Sequence, residues 1–229
     1  MKFEHTKIFN FEGAFRGLRN PMDSWNKSDS NFKHGNETNF RYDDFIGSND
    51  LNLAQRMIKG GTEQSKFLRQ IFVSVDITAP LYWWKQFDTY KIGTVANSTS
   101  TMHKLASTPI TINCFETDDY DKKIQVNVDT LGLGHYESHS INNNISIIIE
   151  LLENLRKKYL ETKDIRYWKE LIRWLPESWL QTRTITLNYA VLRNIIHQRK
   201  SHKLQEWSVK FIEWCHSLPY AEELLFYEN

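Results

Sequence analysis

Cysteine is scarce in this chain: Cys114 and Cys215 are the only two among 229 residues. Two thiols so far apart support neither a disulfide framework nor a zinc cluster, and each reads as a small buried apolar residue. No apolar run approaches the roughly 20 residues that a membrane span needs, which speaks against a membrane partner. The opening stretch MKFEHTKIFNFEGAF carries acidic groups and no apolar h-region, so the expected location is the cytoplasm. An excess of charge is missing too. Lys and Arg total 29 against 28 for Asp and Glu, a net charge of +1. General nucleic-acid binding depends on neutralising many phosphates, so no nucleic-acid partner is expected and any anion site must be local. Internal repeats and low-complexity segments are absent. What remains is the composition of a globular protein, 40% hydrophobic and 25% charged, long enough for a single domain over residues 1–229.

The stretch from Ala79 to Leu105, APLYWWKQFDTYKIGTVANSTSTMHKL, stands at the centre of that domain. Pro80 suits the first turn of a helix, where its missing N–H costs nothing, and Trp83, Trp84 and Phe87 give the helix an apolar face. Lys85 and Gln86 lie on the same turns. After Ile92 and Gly93 come Thr94, Asn97, Ser98, Thr99, Ser100 and Thr101. These hydroxyls and amides can hydrogen-bond a polar ligand but bury little apolar area, and the same composition suits a plain polar surface loop.

Elsewhere the patterning predicts alternating strands and amphipathic helices. Phe3–Phe11 reads as an edge strand, and Glu12–Leu18 as a short helix stopped by Asn20-Pro21. Met22–Gly47 is rich in turn formers yet carries Trp25, Phe32, Phe40, Tyr42 and Phe45, which predicts an ordered loop. Asn49 or Asp50 can cap a helix running through Leu53, Met57 and Ile58 to Gly60-Gly61, with a second short helix at Phe67 and Leu68. Ile71, Val73, Val75 and Ile77 alternate as a half-buried strand. Ile110-Ile112-Cys114 and Ile124-Val126-Val128 read as a hairpin around the acidic turn from Glu116 to Lys123. Asp118, Asp119 and Asp121 there suit a solvated turn better than a cation site. From about Ser140 to Leu160, Ile141, Ile145, Ile148, Leu152, Leu155 and Tyr159 recur at helical spacing. A further helix covers Ile165–Trp174. Thr184 to about Arg199 reads as a helix that is apolar around most of its circumference, hence buried, and Trp207, Phe211, Ile212 and Cys215 mark a terminal helix before Pro219.

Between Glu177 and Glu206 no acidic side chain occurs, while Arg183, Arg193, Arg199, Lys200 and Lys203 supply positive charge beside His197 and His202. On one continuous helix Asn188 and Arg199, eleven residues apart, would lie within about 20° of each other. A buried Arg needs a carboxylate or an anionic ligand, and its shape favours bidentate phosphate contacts. A solvated basic helix end accounts for Lys200 and Lys203, but not for Asn188 and Asn194, because Asn is a weak helix former.

With these residues in place, the chain resembles the flavin-dependent thymidylate synthase family over roughly residues 50–105 and 140–215. The run LPESWLQTRTITLNYAVLRNIIHQRKSHKLQEW is similar to that family's Leu-Pro turn and long central helix. Asn188, Asn194 and Arg199 fall on its Asn, Asn and Arg, and His202 on its His with a one-residue shift. VDITAPLYWWKQF resembles the segment leading into the family signature. Where the family has Arg-His-Arg, this chain has Thr89, Tyr90 and Lys91, followed by Thr94, Ala96, Asn97, Thr99 and Thr101.

The resemblance implies an α+β fold, a small mixed or antiparallel sheet packed with long helices. It also implies a homotetramer with active sites built from several subunits. The implied activity is transfer of a one-carbon unit from methylenetetrahydrofolate to C5 of a pyrimidine deoxynucleotide, dUMP to dTMP, with FAD as cofactor and NADPH as hydride source. On this alignment Arg199 is the catalytic residue that holds and activates the uracil ring. Gln86, Thr99, Ser100, Thr101 and Arg173 join it on the nucleotide, while Thr89, Tyr90, Lys91, Asn188, Asn194 and His202 hold flavin. The altered signature leaves room for a hydroxymethylase or a dCMP-acting variant, and for a non-catalytic nucleotide-binding protein on the same fold.

Overall fold

A computed structural model describes residues 1–32, 45–121, 123–129, 132–134 and 136–228. In chain order the elements are β1 (Lys2–Phe9), α1 (Phe11–Arg19), α2 (Ser48–Lys59), β2 (Phe72–Pro80), α3 (Leu81–Phe87), β3 (Val95–Ser98), α4 (Thr101–Lys104), β4 (Gln125–Asp129), β5 (Tyr136–Ser140), α5 (Ile141–Thr162), α6 (Ile165–Arg173), β6 (Leu180–Asn188), α7 (Tyr189–Arg199), α8 (Ile212–His216) and α9 (Ala221–Leu224). A π-helical turn, Glu206–Phe211, precedes α8. One sheet has the order β1-β2-β6-β3, and β4 pairs with β5 in an antiparallel hairpin. The architecture is α+β, a small sheet with long helices, as expected. Among the described residues no helix is long and apolar enough to cross a membrane. The chain divides into two compact units.

The first unit comprises Met1, Thr78–Gln86 and Ser98–Thr182. Its core joins Leu105, Ile110, Phe115, Leu152 and Leu171, with Ile149, Leu155 and Trp179 packed against them. Helix α5 begins where the Ser140 hydroxyl accepts from the Asn143 N–H, and ends at Lys163 in the left-handed region. One stripe of α5 is buried at Leu152, whereas Ile147 is 60% and Leu151 48% exposed. Glu153 ties α5 to the preceding segment. Its carboxylate accepts from Arg156 Nε at 2.7 Å and from the Ile110 N–H at 2.8 Å, while Arg156 Nη1 donates to the Ala106 carbonyl.

That arrangement overturns the strand expected at Ile110–Cys114. The Ile110 N–H is taken by Glu153, and Ile112–Cys114 is a 3-10 turn with Ile112 exposed. The partner of β4 is instead β5, in register Val126 to His139 and Val128 to Glu137. Tyr136–Ser140 reads YESHS, too polar to signal a strand by alternation. In the acidic turn, Asp118 receives the N-terminal ammonium at 3.1 Å and Asp121 accepts from the Lys123 N–H.

The second unit comprises Lys2–Ile77, Phe87–Asn97 and Arg183–Asn229. Helix α1 buries Phe11, Ala14, Phe15 and Leu18, and the 3-10 turn Lys66–Gln70 adds Phe67 and Leu68. Tyr189 joins several parts of this core: its N–H donates to the Ile71 carbonyl, its hydroxyl to the Pro219 carbonyl, and its ring meets Phe11 edge-on. Neither Asn49 nor Asp50 caps α2. The N-cap is Gly47, and Asp29 accepts from the N–H groups of Asn49 and Asp50. Asp50 is buried instead against Arg19 Nε at 2.5 Å, with the Ser28 and Ser30 hydroxyls on its other oxygen. In the expected aromatic loop, Phe32 approaches Phe15 and Phe45 forms a bridge to Asn31. Phe40 and Tyr42 lie outside the described residues.

The helix expected over 184–199 divides at Asn188. Thr184-Ile185-Thr186-Leu187 is β-branched and alternating, with Ile185 and Leu187 buried and the threonines exposed, and it forms the end of β6. Asn188 is extended at φ −133°, and its Oδ1 accepts from the Val191 N–H at 3.0 Å, capping α7. The 20° alignment of Asn188 with Arg199 therefore does not exist. Asn at that position is a cap, which removes the puzzle of Asn inside a helix. The hydroxyl run likewise becomes structured, with β3 covering Val95–Ser98 and α4 beginning at Thr101. The terminal helix opens with the π-helical turn, and α9 follows Pro219. Cys215 is buried and its thiol pKa raised by that burial, while Cys114 is half-buried.

Candidate functional site

Within the second unit, four residues on α7 and the loop after α3 join into one network. Arg199 Nε donates to the Tyr90 hydroxyl at 2.8 Å, and that hydroxyl donates to Gln198 Oε1 at 3.1 Å. Gln198 Nε2 then donates to Asn194 Oδ1 at 3.0 Å, one helical turn back. The guanidinium also lies over the Trp207 ring, 5.0 Å from its centroid, and 5.6 Å from that of Tyr90. Trp207 is fully buried and stacks on Phe87 with an interplanar angle of 8°. Arg199 is thus half-buried on an aromatic floor, and Tyr90 uses its hydroxyl and ring on Arg199. Gly93, at φ +74°, lets the loop pass close to the α7 start: a Cβ there would sit 3.1 Å from Asn188 Nδ2.

A cavity of about 270 Å³ opens on the neighbouring face of α7, where Arg193, Asn194 and His197 meet Ile58, Ser65 and Arg69. Its lining among the described residues carries no carboxylate. Burial, then the charges of Arg193 and Lys200, hold the His197 imidazole below its usual range, with Glu228 opposing. Burial lowers the Arg193 pKa as well, and its Nη1 donates to the Leu225 carbonyl. His202 is lowered by burial and by Arg199, and its Nδ1 accepts from the Leu204 N–H, which places the proton of the neutral ring on Nε2. The concentration of positive charge seen in the sequence is therefore partly answered by distant carboxylates: Arg183 pairs with Asp88 and Lys200 with Glu228. Thr89 and Lys91 are exposed.

The other candidate residues belong to the first unit. Gln181, buried, donates from Nε2 to the Thr99 carbonyl at 3.0 Å and to the Thr101 hydroxyl at 3.1 Å, while the Thr99 N–H donates to the Thr182 carbonyl. Ser100 accepts from the Lys104 N–H through its carbonyl, and Gln86 is half-buried. Arg173 is exposed and pairs with Glu170, one turn back on α6. The structure thus brings Tyr90, Asn194 and Arg199 together in one unit, and Thr99 and Thr101 in the other. Asn188 is a helix cap. Gln198, Trp207 and Gln181 join these contacts, although the sequence does not single them out as site residues. Gln198 lies four residues from Asn194 on a helix, the one signal that could have found it.

No protein-family model matches the sequence, and no curated protein matches it. Solved structures do. The crystal structure of flavin-dependent thymidylate synthase ThyX from Helicobacter pylori, complexed with FAD and dUMP, superposes with a TM-score of 0.66. It covers 99% of this chain and 98% of its own at 17% identity. A second structure of thymidylate synthase X from the same organism, with FAD and dUMP, gives a TM-score of 0.63 at 17% identity and covers 99% and 97%. At that identity the likeness is one of architecture: over its whole length the chain has the fold of thymidylate synthase ThyX.

Proposed function

We propose that this protein is a flavin-dependent enzyme of the thymidylate synthase type. It would transfer a one-carbon unit from methylenetetrahydrofolate to C5 of a pyrimidine deoxynucleotide, dUMP to dTMP, with FAD as cofactor and NADPH as reductant. The observation that carries the reading is Arg199, half-buried on Trp207 and held by Tyr90, on a fold whose neighbours bind FAD and dUMP. A guanidinium offers only donors, so Arg199 suits the carbonyl oxygens of uracil better than the C4 amino group of cytosine, favouring dUMP over dCMP. Arg199 would bind and orient the ring through those oxygens, and stabilise negative charge held on them.

The cavity beside Asn194 fits part of the cofactor. Arg193, His197 and Arg69 suit a phosphate, and Asn194 can donate to a polar edge. At about 270 Å³ it falls below the range of drug-sized sites, so it has room for one segment of a dinucleotide and the remainder must be held elsewhere. That need fits a homotetramer with composite sites. Exposed Ile147, Ile148 and Leu151 on α5 and Val126 and Val128 on β4 supply apolar surface for assembly. FAD, when bound, supplies the hydride chemistry of this class.

One observation favours the non-catalytic reading: Tyr90, in the signature position, is engaged with Arg199, and Lys91 is the one cation of the signature. Reconstitution separates the two. The protein incubated with FAD and desalted should keep a flavin absorbance band, and with methylenetetrahydrofolate, NADPH and dUMP it should form dTMP. Nucleotide binding without flavin retention would select the binding protein instead.

A further inference from the structure

The network between Arg199 and Asn194 has a direction fixed by chemistry. A guanidinium can only donate, so the Tyr90 oxygen accepts from Arg199 Nε at 2.8 Å, and the Tyr90 proton must go to Gln198 Oε1 at 3.1 Å. That acceptance fixes the Gln198 amide, whose Nε2 donates to Asn194 Oδ1 at 3.0 Å. Three bonds run the same way and polarise one another. At one end, Nε of Arg199 is used and, among the described residues, its two Nη groups make no hydrogen bond and remain for a ligand. At the other, the Asn194 oxygen is used and, among the described residues, its Nδ2 donors are not, in a residue that lines the cavity with Arg193 and His197. Trp207, buried and stacked on Phe87, fixes the plane on which the guanidinium lies.

We propose that Tyr90 and Gln198 are positioning residues that hold Arg199 by its Nε, so that its Nη groups serve a pyrimidine nucleotide, and turn the Asn194 amide donors to the adjoining cavity. This rests on the nucleotide reading above. It assigns to Tyr90, at the altered signature position, an indirect role through Arg199 in place of a contact with flavin. Gln198 becomes its necessary companion, since a hydroxyl held by Arg199 alone would leave its proton undirected.

Two measurements test it. In the ligand-free protein, the Arg199 Nε–H should be protected from exchange by nitrogen-15 NMR, and Tyr90→Phe, which keeps the ring over the guanidinium, should abolish that protection. Calorimetric titration of dUMP should then show about tenfold weaker binding in Tyr90→Phe and a smaller loss in Gln198→Leu, with unchanged unfolding midpoints. In an Arg199→Lys background, which has no Nε–H to hold, Tyr90→Phe should cost nothing further. Wild-type affinity in Tyr90→Phe, or an equal loss in both backgrounds, overturns the positioning role. If the wild type binds no dUMP, the nucleotide reading falls, and unaltered Nε–H exchange in Tyr90→Phe overturns the relay by itself.

Discussion

Arg199 was legible as a functional candidate because an arginine in an acid-free segment needs an answer. The answer is not the anion that charge alone suggests, but a phenol and an indole. Neither has a fixed spacing from Arg199 in sequence, which is why Tyr90 and Trp207 could not be paired with it beforehand. Asp50 shows the same limit. It reads as a helix cap, yet burial against Arg19, Ser28 and Ser30 makes it the centre of a network. Removing one partner of a buried pair strands the other charge, so Asp50→Ala should cost about 3–5 kcal/mol, measured as a fall in the urea midpoint at constant slope. The histidines of the basic cluster give a second prediction. His197 and His202 are lowered from the ordinary 6.5, so below that pH the unfolded chain binds protons that the folded one does not. Their contribution should make stability fall as pH drops from about 6.5 and level off below the folded pKa values. Urea midpoints across that range should show the slope, and His197→Gln should reduce it.

At the level of elements, α5 and β2 were readable because each keeps one period over its length, α5 near 3.6 and β2 at two with one buried face. The region 180–199 was not, because a strand and a helix meet there with only Asn188 between their apolar residues. Ile185 and Leu187 belong to a period of two, Leu192, Ile195 and Ile196 to one near 3.6, and read together they imitate a helix apolar all round. The residue that separates them, Asn188, is the N-cap. β5 and the 3-10 turn at Ile112–Cys114 were missed for the opposite reason: one strand is polar, and one alternating run is cut by a carboxylate from α5. That carboxylate has a consequence of its own. Glu153, held by Arg156 and the Ile110 N–H, has its pKa lowered to about 2 from 4.5. Its stabilisation is complete above pH 4.5 and lost as pH falls towards about 2. Thermal melts of wild type and Glu153→Gln should converge across that window and differ above it.

On the scale of the molecule, the resemblance of the sequence to the flavin-dependent thymidylate synthases implies an α+β fold, and the chain has one, superposing over its full length on thymidylate synthase ThyX. Function is carried by far fewer residues. At 17% identity the likeness speaks for the fold alone, so the proposed function rests on the few groups around Arg199 and Asn194, with Tyr90 and Lys91 at two of the signature positions. The aliphatic side chains exposed on α5 and β4 predict assembly, so light scattering at micromolar concentration should give a multiple of the chain mass. A monomer would remove the composite-site reading. The account turns most directly on whether Arg199 grips a pyrimidine nucleotide. Calorimetric titration of dUMP into the wild type and Arg199→Ala measures this. The loss of a charge-assisted contact predicts a difference of about 1.5–3 kcal/mol in favour of the wild type. Equal affinities, or no binding to either, would contradict it.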